Sequence, residues 1–377
     1  MSKYRKLIII GTMFTLLPLV VKAQTDAPIR VERERVLSRY GDSESIQLSL
    51  PVNNGVGVVS TQVIKRSGAS ALRLHFAVSP PAPSPSWGVQ ISDKHAKKTW
   101  SYSSVSNSGS DFWSDEVPGD AAKVEVFSLM EVPTLKLTID RIVVSRKPSI
   151  VKSLTVHKLK DIDKAPPEVQ QWGRSVARLL FVGDGNGQFL CTGFLVAADL
   201  FLTNNHCINT PSEMSSGLAE FDYDREGVTP VTLRFKEIVT TNRELDFTLL
   251  RLSTDSGRQP FTFDTSVGEN RPLVIIEHPA GRPKQVSIDN CQVFGAQVAG
   301  ITPALTDFGH GCDTLGGSSG SPVLDLGSGK VLGLHHLGFL PNDRLVNRAV
   351  RIQQILDFLN QNLSDAAARQ ALGLPVQ

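Results

Sequence analysis

The stretch 313-DTLGGSSGSPV-323 places Ser318, Ser319 and Ser321 among glycines and closes on Pro322. A serine hydroxyl is a weak nucleophile at neutral pH, so a catalytic serine needs a histidine base, an acid that orients the base, and donors for the oxyanion. The rest of the sequence therefore decides whether this stretch is a catalytic loop or a flexible glycine-serine loop.

Two other segments contain a candidate base and a candidate acid. The segment 202-LTNNHC-207 places His206 directly after an apolar strand, and 244-ELDFTLLRL-252 places Asp246 at the start of another. The order along the chain is therefore histidine, aspartate, serine. An α/β-hydrolase would show serine, aspartate, histidine and a G-x-S-x-G elbow followed by a helix, so order and motif both exclude that class.

The motifs around these three residues resemble those of the chymotrypsin-fold serine endopeptidases, in the bacterial secreted trypsin-like and glutamyl-endopeptidase-like branch. The resemblance runs from about residue 176 to residue 363. Thr203 to Cys207 is similar to T-A-A-H-C, Asp246 begins a D-[IF]-[AT]-L-L-like strand, and Gly317 to Pro322 is similar to G-[DNS]-S-G-S-P, which selects Ser319. It implies a His206, Asp246 and Ser319 triad that hydrolyses peptide bonds through an acyl-enzyme.

The same resemblance implies an all-β fold, a chymotrypsin-like double β-barrel with a C-terminal helix. It also implies an oxyanion hole formed by the backbone N–H groups of Gly317 and Ser319. Neither a cofactor nor a metal is implied. Adjacent residues of a strand point to opposite faces, so His335 and His336 are not expected to chelate a metal together.

The chain has four cysteines, all in its second half and without a C-x-x-C pair, which disfavours a structural zinc site. The resemblance implies a disulfide between Cys191 and Cys207, beside His206. Cys291 and Cys312 are then expected to form a second disulfide. Buried free thiols are the alternative for these cysteines.

Two residues predict opposite substrate specificities. Asp313 lies six residues before Ser319, where the resemblance implies the base of a pocket that binds Lys or Arg. The stretch 333-GLHHLG-338 instead resembles the pocket wall of glutamyl endopeptidases, in which His335 would help to bind a substrate carboxylate. We favour basic residues at P1, because a pocket carboxylate repels an acidic side chain. Cleavage after Glu or Asp remains the alternative, and both side chains also have structural interpretations.

The N-terminus has the features of a secretory signal peptide over residues 1–23, with basic residues, an apolar run and the small residue Ala23. The apolar run is about 15 residues long, whereas a membrane-spanning helix needs about 20. Its removal takes away four basic residues and leaves 35 basic against 37 acidic ones. We therefore expect a secreted or periplasmic protein without a nucleic-acid partner or, after cleavage, a membrane partner.

Alternating apolar residues between residues 46 and 146 predict strands, and hence a jelly-roll-like β-sandwich over residues 24–148. A linker is predicted for 149–171 because it is polar and contains Pro166 and Pro167. The protease domain would then cover 172–363, followed by a C-terminal tail, 364–377.

The role of the N-terminal half remains open between an accessory domain and a pro-domain. Trp87, Trp100 and Trp113 either belong to the sandwich core or bind a polysaccharide or protein ligand. In a second class of function, the sandwich is a carbohydrate- or surface-binding module and the protease half an inactive scaffold. In the favoured class, the partner is a protein or peptide substrate.

Overall fold

The structure of the chain is a computed structural model. It describes residues 38–52, 56–81, 86–107, 109–130, 135–146, 158–183, 187–338 and 347–375. The predicted signal peptide and the first part of the predicted linker, 149–157, lie outside the described residues.

The first half of the described chain contains strands only. In chain order these are β1 (Ser38–Leu50), β2 (Gly57–Lys65), β3 (Ala71–Ser79), β4 (Trp87–Asp93), β5 (Thr99–Ser103), β6 (Phe112–Trp113), β7 (Val117–Pro118), β8 (Ala121–Ser128) and β9 (Lys136–Ser145).

The second half contains strands and a few short helices. These are β10 (Lys160–Asp161), α1 (Pro167–Gly173), β11 (Val176–Val182), β12 (Gly187–Leu195), β13 (Leu200–Thr203), α2 (Pro211–Ser216), β14 (Leu218–Phe221), β15 (Val231–Asn242), β16 (Phe247–Leu252), β17 (Leu273–Glu277), β18 (Gln285–Ser287), β19 (Asp307–His310), β20 (Pro322–Asp325), β21 (Val331–Leu337), β22 (Asn347–Arg351), α3 (Ile352–Asn362) and α4 (Ala366–Ala371).

The N-terminal half folds into two antiparallel sheets that enclose one apolar core. One sheet has the order β1-β9-β3-β6, with β7 also paired to β3, and the other has the order β2-β8-β4-β5. Side chains along β8 alternate between buried Val124 and Val126 and the less buried Lys123 and Glu125, which is the period of a strand with one face in the core. The rings of Trp87 and Phe112 stack within this core at 5.8 Å.

The second half contains a closed barrel followed by a second antiparallel sheet. The strands β11-β14-β15-β16-β13-β12 form the barrel, which the pairing of β12 with β11 closes. The second sheet has the order β10-β18-β17-β20-β21-β22-β19. Helix α3 packs on the core of the protease half through Ile352, Ile355 and Leu359. These residues lie three or four positions apart and share one face of the helix. The predicted all-β, trypsin-like fold with a C-terminal helix is confirmed.

Two segments that the sequence prediction places outside the domains contain regular structure. Part of the predicted linker forms a short 3-10 turn and helix α1, whose Ile162 and Val169 are buried in the protease core. Pro166 and Pro167 start this helix, a position where proline is favoured because its missing N–H is not needed. The predicted tail likewise contains helix α4, anchored by buried Arg369, which donates to the backbone carbonyl of Leu363 at 3.0 Å.

Strand β1 joins the two halves into one continuous sheet. One edge of β1 pairs with β9 of the sandwich, and the other edge pairs with β12 of the barrel, where Ser38 lies opposite Leu190 and Asp42 opposite Gly187. The two halves thus share an 11-stranded sheet. The edge of β12 that the barrel leaves unpaired is covered by β1, which protects it from pairing with other chains.

A buried arginine from the sandwich strengthens this contact. The Arg73 guanidinium donates to the backbone carbonyls of Ser114 and Ser216 at 3.2 and 2.7 Å and to the side-chain oxygen of Gln188 at 3.1 Å. Two of these acceptors, Ser216 and Gln188, belong to the barrel half, so one side chain bonds both halves.

We predict that Arg73→Ala destabilises the protein strongly, because it leaves these three acceptors without their donor. The expected loss in the free energy of unfolding is about 3 kcal/mol, measured by urea denaturation. Arg66→Ala is the matched control, since Arg66 lies at the surface with Glu44, and we expect it to change the free energy by under about 0.5 kcal/mol. Equal stabilities of the two variants would contradict the role of Arg73.

Candidate active site

His206 and Asp246 form a buried hydrogen-bonded pair. Asp246 Oδ2 accepts from His206 Nδ1 at 2.7 Å, and Asp246 Oδ1 accepts from the His206 backbone N–H at 2.9 Å. Asp246 has a φ of +46°, and Asn204 Nδ2 donates to its carbonyl at 2.8 Å. Aspartate tolerates this left-handed conformation better than most residues. The backbone and both carboxylate oxygens thus fix the orientation of the imidazole.

Burial alone would raise the pKa of the Asp246 carboxyl, because it disfavours the charged form. The neighbouring His206 and His336 rings outweigh burial and hold this pKa well below its usual range. Asp246 is therefore ionised at neutral pH. Its share of folding stability is present above about pH 4 and is lost as the pH falls through its depressed pKa.

Ser319 lies in a loop that is bonded to strand β12. The Thr192 backbone N–H donates to the Ser319 carbonyl at 2.8 Å, and Thr192 Oγ1 donates to the Gly317 carbonyl at 2.9 Å. The Thr192 carbonyl accepts from Thr203 Oγ1 at 2.8 Å, three residues before His206. The barrel thus brings the serine loop to the strand end that carries the histidine.

Among the three serines of the loop, Ser319 is the one with an accessible surface. Its relative exposure is 8%, whereas Ser318 and Ser321 are 0% exposed. The Ser318 hydroxyl accepts from the Leu315 backbone N–H at 3.1 Å, which gives it a role within the loop. Ser319 therefore differs from Ser318 and Ser321 in being accessible to solvent.

The peptide groups before Gly317 and Ser319 have fixed directions. The Gly316 carbonyl accepts from the Ala280 N–H at 2.6 Å, and the Ser318 carbonyl accepts from the Ser321 N–H at 3.0 Å. In a trans peptide the N–H points opposite to the carbonyl, so the Gly317 and Ser319 N–H groups point away from these acceptors. Gly317 has a φ of +97°, and a Cβ there would lie 2.9 Å from the His278 carbonyl oxygen, so only glycine fits.

The two predicted specificity residues occupy different surroundings. Asp313 is half-buried, and its Oδ2 accepts from the Lys158 backbone N–H at 2.9 Å. His335 is buried in β21, and its Nδ1 lies 3.2 Å from His310 Nε2. Burial lowers the pKa of His335 well below its usual value, and His310 adds to the effect. His335 is therefore neutral at physiological pH, while Asp313 is partly exposed to solvent.

One residue at the site has no role in the sequence prediction. His336, the neighbour of His335, directs its Nδ1 to Asp246 Oδ2 at 3.2 Å and its Nε2 to Asp307 Oδ2 at 2.7 Å. Strand alternation predicts that it faces away from His335, but no local motif links it to Asp307, which lies 29 residues earlier. The two residues meet only in the folded structure, so local sequence patterns do not reveal this contact.

Both predicted cysteine pairs are bonded, Cys191 to Cys207 and Cys291 to Cys312. Cys191, Cys207 and His206 bring their potential ligand atoms within 4.8 Å of one another. A metal would need the sulfurs as thiolates, and the disulfide removes them. Because Cys207 follows His206 directly, the bond fixes the end of the histidine segment.

Glu277 is a buried carboxyl close to the serine loop. Its side chain is fully buried, and burial raises its pKa to about 8, with the Asp313 charge acting in the same direction and the Ser318 hydroxyl acting against it. A carboxyl whose pKa is raised by folding binds its proton more tightly in the folded state than in the unfolded state. Its contribution therefore lowers stability as the pH rises from about 4.5 through about 8.

We predict that Glu277→Gln removes this component of the pH dependence. At pH 4 the variant and the wild type should have similar unfolding free energies, and at pH 9 the variant should be more stable by about 5 kcal/mol, because the pKa of Glu277 rises from 4.5 to about 8 on folding. Urea denaturation across this pH range measures the difference. A constant difference between the two proteins at all pH values would show that Glu277 does not titrate in this range.

The protease half has a trypsin-like fold, with a barrel, a second sheet and a C-terminal helix. Its His206–Asp246 pair lies beside a serine loop, as in the serine peptidases of this fold class. Residues 191–334 match the family model of the trypsin-like peptidase domain. This match and the observed architecture agree on a trypsin-like fold for this part of the chain.

Two curated proteins are similar to parts of the chain. Secreted RxLR effector protein 73 of Plasmopara viticola is 32% identical over 188 residues, 45% of this chain and 46% of that protein. Uncharacterized protein y4fB of Sinorhizobium fredii is 31% identical over 208 residues, 49% of this chain and 30% of that protein. The chain therefore spans less than half the length of these relatives.

Solved structures with a similar backbone include the Rv3671c protease of M. tuberculosis in its active form. It is 18% identical, with 52% of this chain and 84% of that chain covered, at a TM-score of 0.41. The HtrA-type protease AlgW with tripeptide is 16% identical, with 52% and 62% covered, at a TM-score of 0.42. Likenesses at this level add nothing to the roles of individual residues. Among the described residues, no helix is long and apolar enough to cross a membrane.

Proposed function

We propose that the protein is an exported serine endopeptidase that uses His206, Asp246 and Ser319. The observation that carries this proposal is the buried His206–Asp246 pair, at 2.7 Å, held next to the loop of Ser319 by the hydrogen bonds of Thr192. A base, its orienting acid and a nucleophile are the three groups that acyl transfer requires.

In the proposed reaction, Ser319 Oγ attacks the carbonyl carbon of the substrate peptide while His206 Nε2 takes the hydroxyl proton. The carbonyl oxygen becomes an oxyanion, the C–N bond then breaks, and His206 gives the proton to the leaving amine. The product at this point is an ester on Ser319. Water then attacks the ester carbonyl carbon while His206 takes a proton from the water. The bond to Ser319 Oγ breaks, His206 returns the proton to Oγ, and the carboxylic acid is released.

The oxyanion would accept from the N–H groups of Gly317 and Ser319, whose peptide planes are fixed by neighbouring hydrogen bonds. Donors that are already oriented need no rearrangement in the transition state, which is why each one lowers the barrier by roughly 3 kcal/mol. Asp246 would hold the His206 tautomer that donates from Nδ1 and would stabilise the imidazolium that forms.

For the substrate, we propose cleavage after Lys or Arg, with Asp313 as the pocket anion. The half-buried position of Asp313 supports this preference, and the buried, neutral state of His335 makes it a weak partner for a substrate carboxylate. Cleavage after Glu remains the alternative, through a substrate carboxylate bound at His335.

The N-terminal sandwich would act as an accessory or pro-domain of the exported enzyme. Trp87 and Trp113 are buried in it, so their rings are not surfaces for a sugar ligand, and Trp100 is the more exposed of the three. A purely carbohydrate-binding function is therefore less well supported than the peptidase function.

The first prediction for this function is covalent labelling of Ser319 by a fluorophosphonate. We expect wild-type protein to be labelled and Ser319→Ala not to be, with cleavage of a casein substrate lower by about 10⁶-fold in the variant. Ser321→Ala is the matched control and should still be labelled, provided that it folds as judged by circular dichroism. Wild-type protein that stays unlabelled would contradict the proposal.

Asp246→Asn should lower kcat by about 10⁴-fold without a comparable change in KM, because the amide favours the wrong imidazole tautomer. Steady-state kinetics on a peptide substrate test this. A decrease below tenfold would mean that Asp246 does not orient the base.

The specificity proposal is tested with a mixed peptide library whose products are read by mass spectrometry. Cuts after Lys or Arg should predominate, and Asp313→Asn should reduce them by about 100-fold while leaving fluorophosphonate labelling in place. Cuts after Glu that vanish in His335→Gln would assign the pocket to His335 instead.

A further inference from the structure

His336 lies between two carboxylates in the fully buried interior of the second sheet. The side chains of His336 and Asp307 are 0% exposed, and that of Asp246 is 3% exposed. The ring nitrogens reach one carboxylate each, Nδ1 to Asp246 at 3.2 Å and Nε2 to Asp307 at 2.7 Å. The side chains thus form a row in the order His206, Asp246, His336, Asp307.

This arrangement has a definite chemical requirement. An ionised carboxylate only accepts hydrogen bonds, and a neutral imidazole has one nitrogen that donates and one that accepts. If His336 were neutral, one of its lone pairs would face a carboxylate oxygen. A protonated ring donates from both nitrogens and satisfies both contacts with charge-assisted hydrogen bonds.

We propose that His336, kept protonated by Asp307, is a positioning residue that orients the Asp246 carboxylate toward His206. The proposal rests on the proposed peptidase function, because it concerns the acid of that triad. His336 touches neither the substrate nor Ser319 in this role, and it acts through Asp246.

The charges of the row explain why a second carboxylate is useful. A lone imidazolium beside Asp246 would cancel the negative charge that stabilises His206 when it takes the proton from Ser319. Asp307 restores that charge, since two carboxylates and one imidazolium sum to minus one. Asp246 thereby accepts a hydrogen bond from the buried, charged His336. The net negative charge of the row still stabilises His206 when it is protonated.

The other titratable groups around His336 agree with this protonation state. Burial favours the neutral ring, but the Asp307 charge and the hydrogen bond to Asp246 outweigh it and raise the pKa of His336 to about 9. The facing histidines are shifted the other way: burial, with His336 adding to it, lowers the pKa of His310 to about 3, and His335 is lowered as well. His206 is the remaining neighbour, across Asp246.

The decisive variant is Asp307→Asn, which keeps the shape and removes one charge. The pKa of His336 should fall, so that its proton is lost at a lower pH than in the wild type. At pH 6 the variant should retain a kcat within about threefold of the wild type, since His336 is still protonated there. At pH 8.5 its kcat should be lower by about 10-fold, with KM little changed.

Two further variants complete the comparison. His336→Gln should lose between about 10- and 100-fold in kcat. Adding Asp307→Asn to this variant should cause no further decrease in kcat at alkaline pH. Asp140→Asn is the matched control, because Asp140 forms a partly buried His–Asp pair with His75 in the N-terminal sandwich, at 2.5 Å, outside the protease half. It should leave the pH profile of kcat unchanged.

The titration of His336 is measured independently of activity by ¹⁵N NMR of the histidine rings, assigned with His336→Gln. A wild-type ring that loses its proton below about pH 7 would overturn the proposal. A loss of kcat in Asp307→Asn that is the same at every pH would also overturn it, because a structural defect has that signature. If wild-type protein shows no fluorophosphonate labelling, the peptidase function fails, and the NMR titration still reports the charge of His336.

Discussion

The hydrogen bonds of Thr192 are the constraint on which the geometry of the site depends. This one residue of the barrel donates to the carbonyls of Gly317 and Ser319 and accepts from Thr203. A Cβ on Gly320 would lie 2.0 Å from the Thr192 carbonyl oxygen, so the loop can approach this closely only because that position is glycine. The serine loop is thus attached to the barrel by hydrogen bonds of the Thr192 backbone and side chain.

Buried charges are placed where the halves of the molecule meet. Arg178 of the barrel pairs with Glu220 at 2.6 Å and with Glu116, from the N-terminal half, at 3.2 Å, and it lies over the Tyr223 ring at 4.0 Å. Such ion pairs add little net stability because desolvation offsets their attraction. Their geometric demands are strict, however, so they favour one relative placement of the sandwich and the barrel over others.

The sequence predicts what depends on local motifs and misses what depends on distant pairing. The segments around His206, Asp246 and Ser319 each carry a short pattern, so the His206–Asp246 pair and the loop that carries Ser319 could be anticipated. The His336–Asp307 contact could not, because each residue alone resembles an ordinary core polar group. The prolines at the start of α1 are assigned to a linker from the sequence for a related reason, since proline both starts helices and occurs in linkers. Only the burial of Ile162 and Val169 distinguishes the two.

Strand β1 has a consequence for any maturation of the chain by proteolysis. Because β1 pairs on one edge with β9 and on the other with β12, the sandwich and the barrel are held together by backbone hydrogen bonds as well as by the peptide chain. A single cut between residues 146 and 158 would break the covalent connection and leave that shared sheet intact. The two fragments would then separate on a denaturing gel and migrate together through a native column, as a two-chain protein.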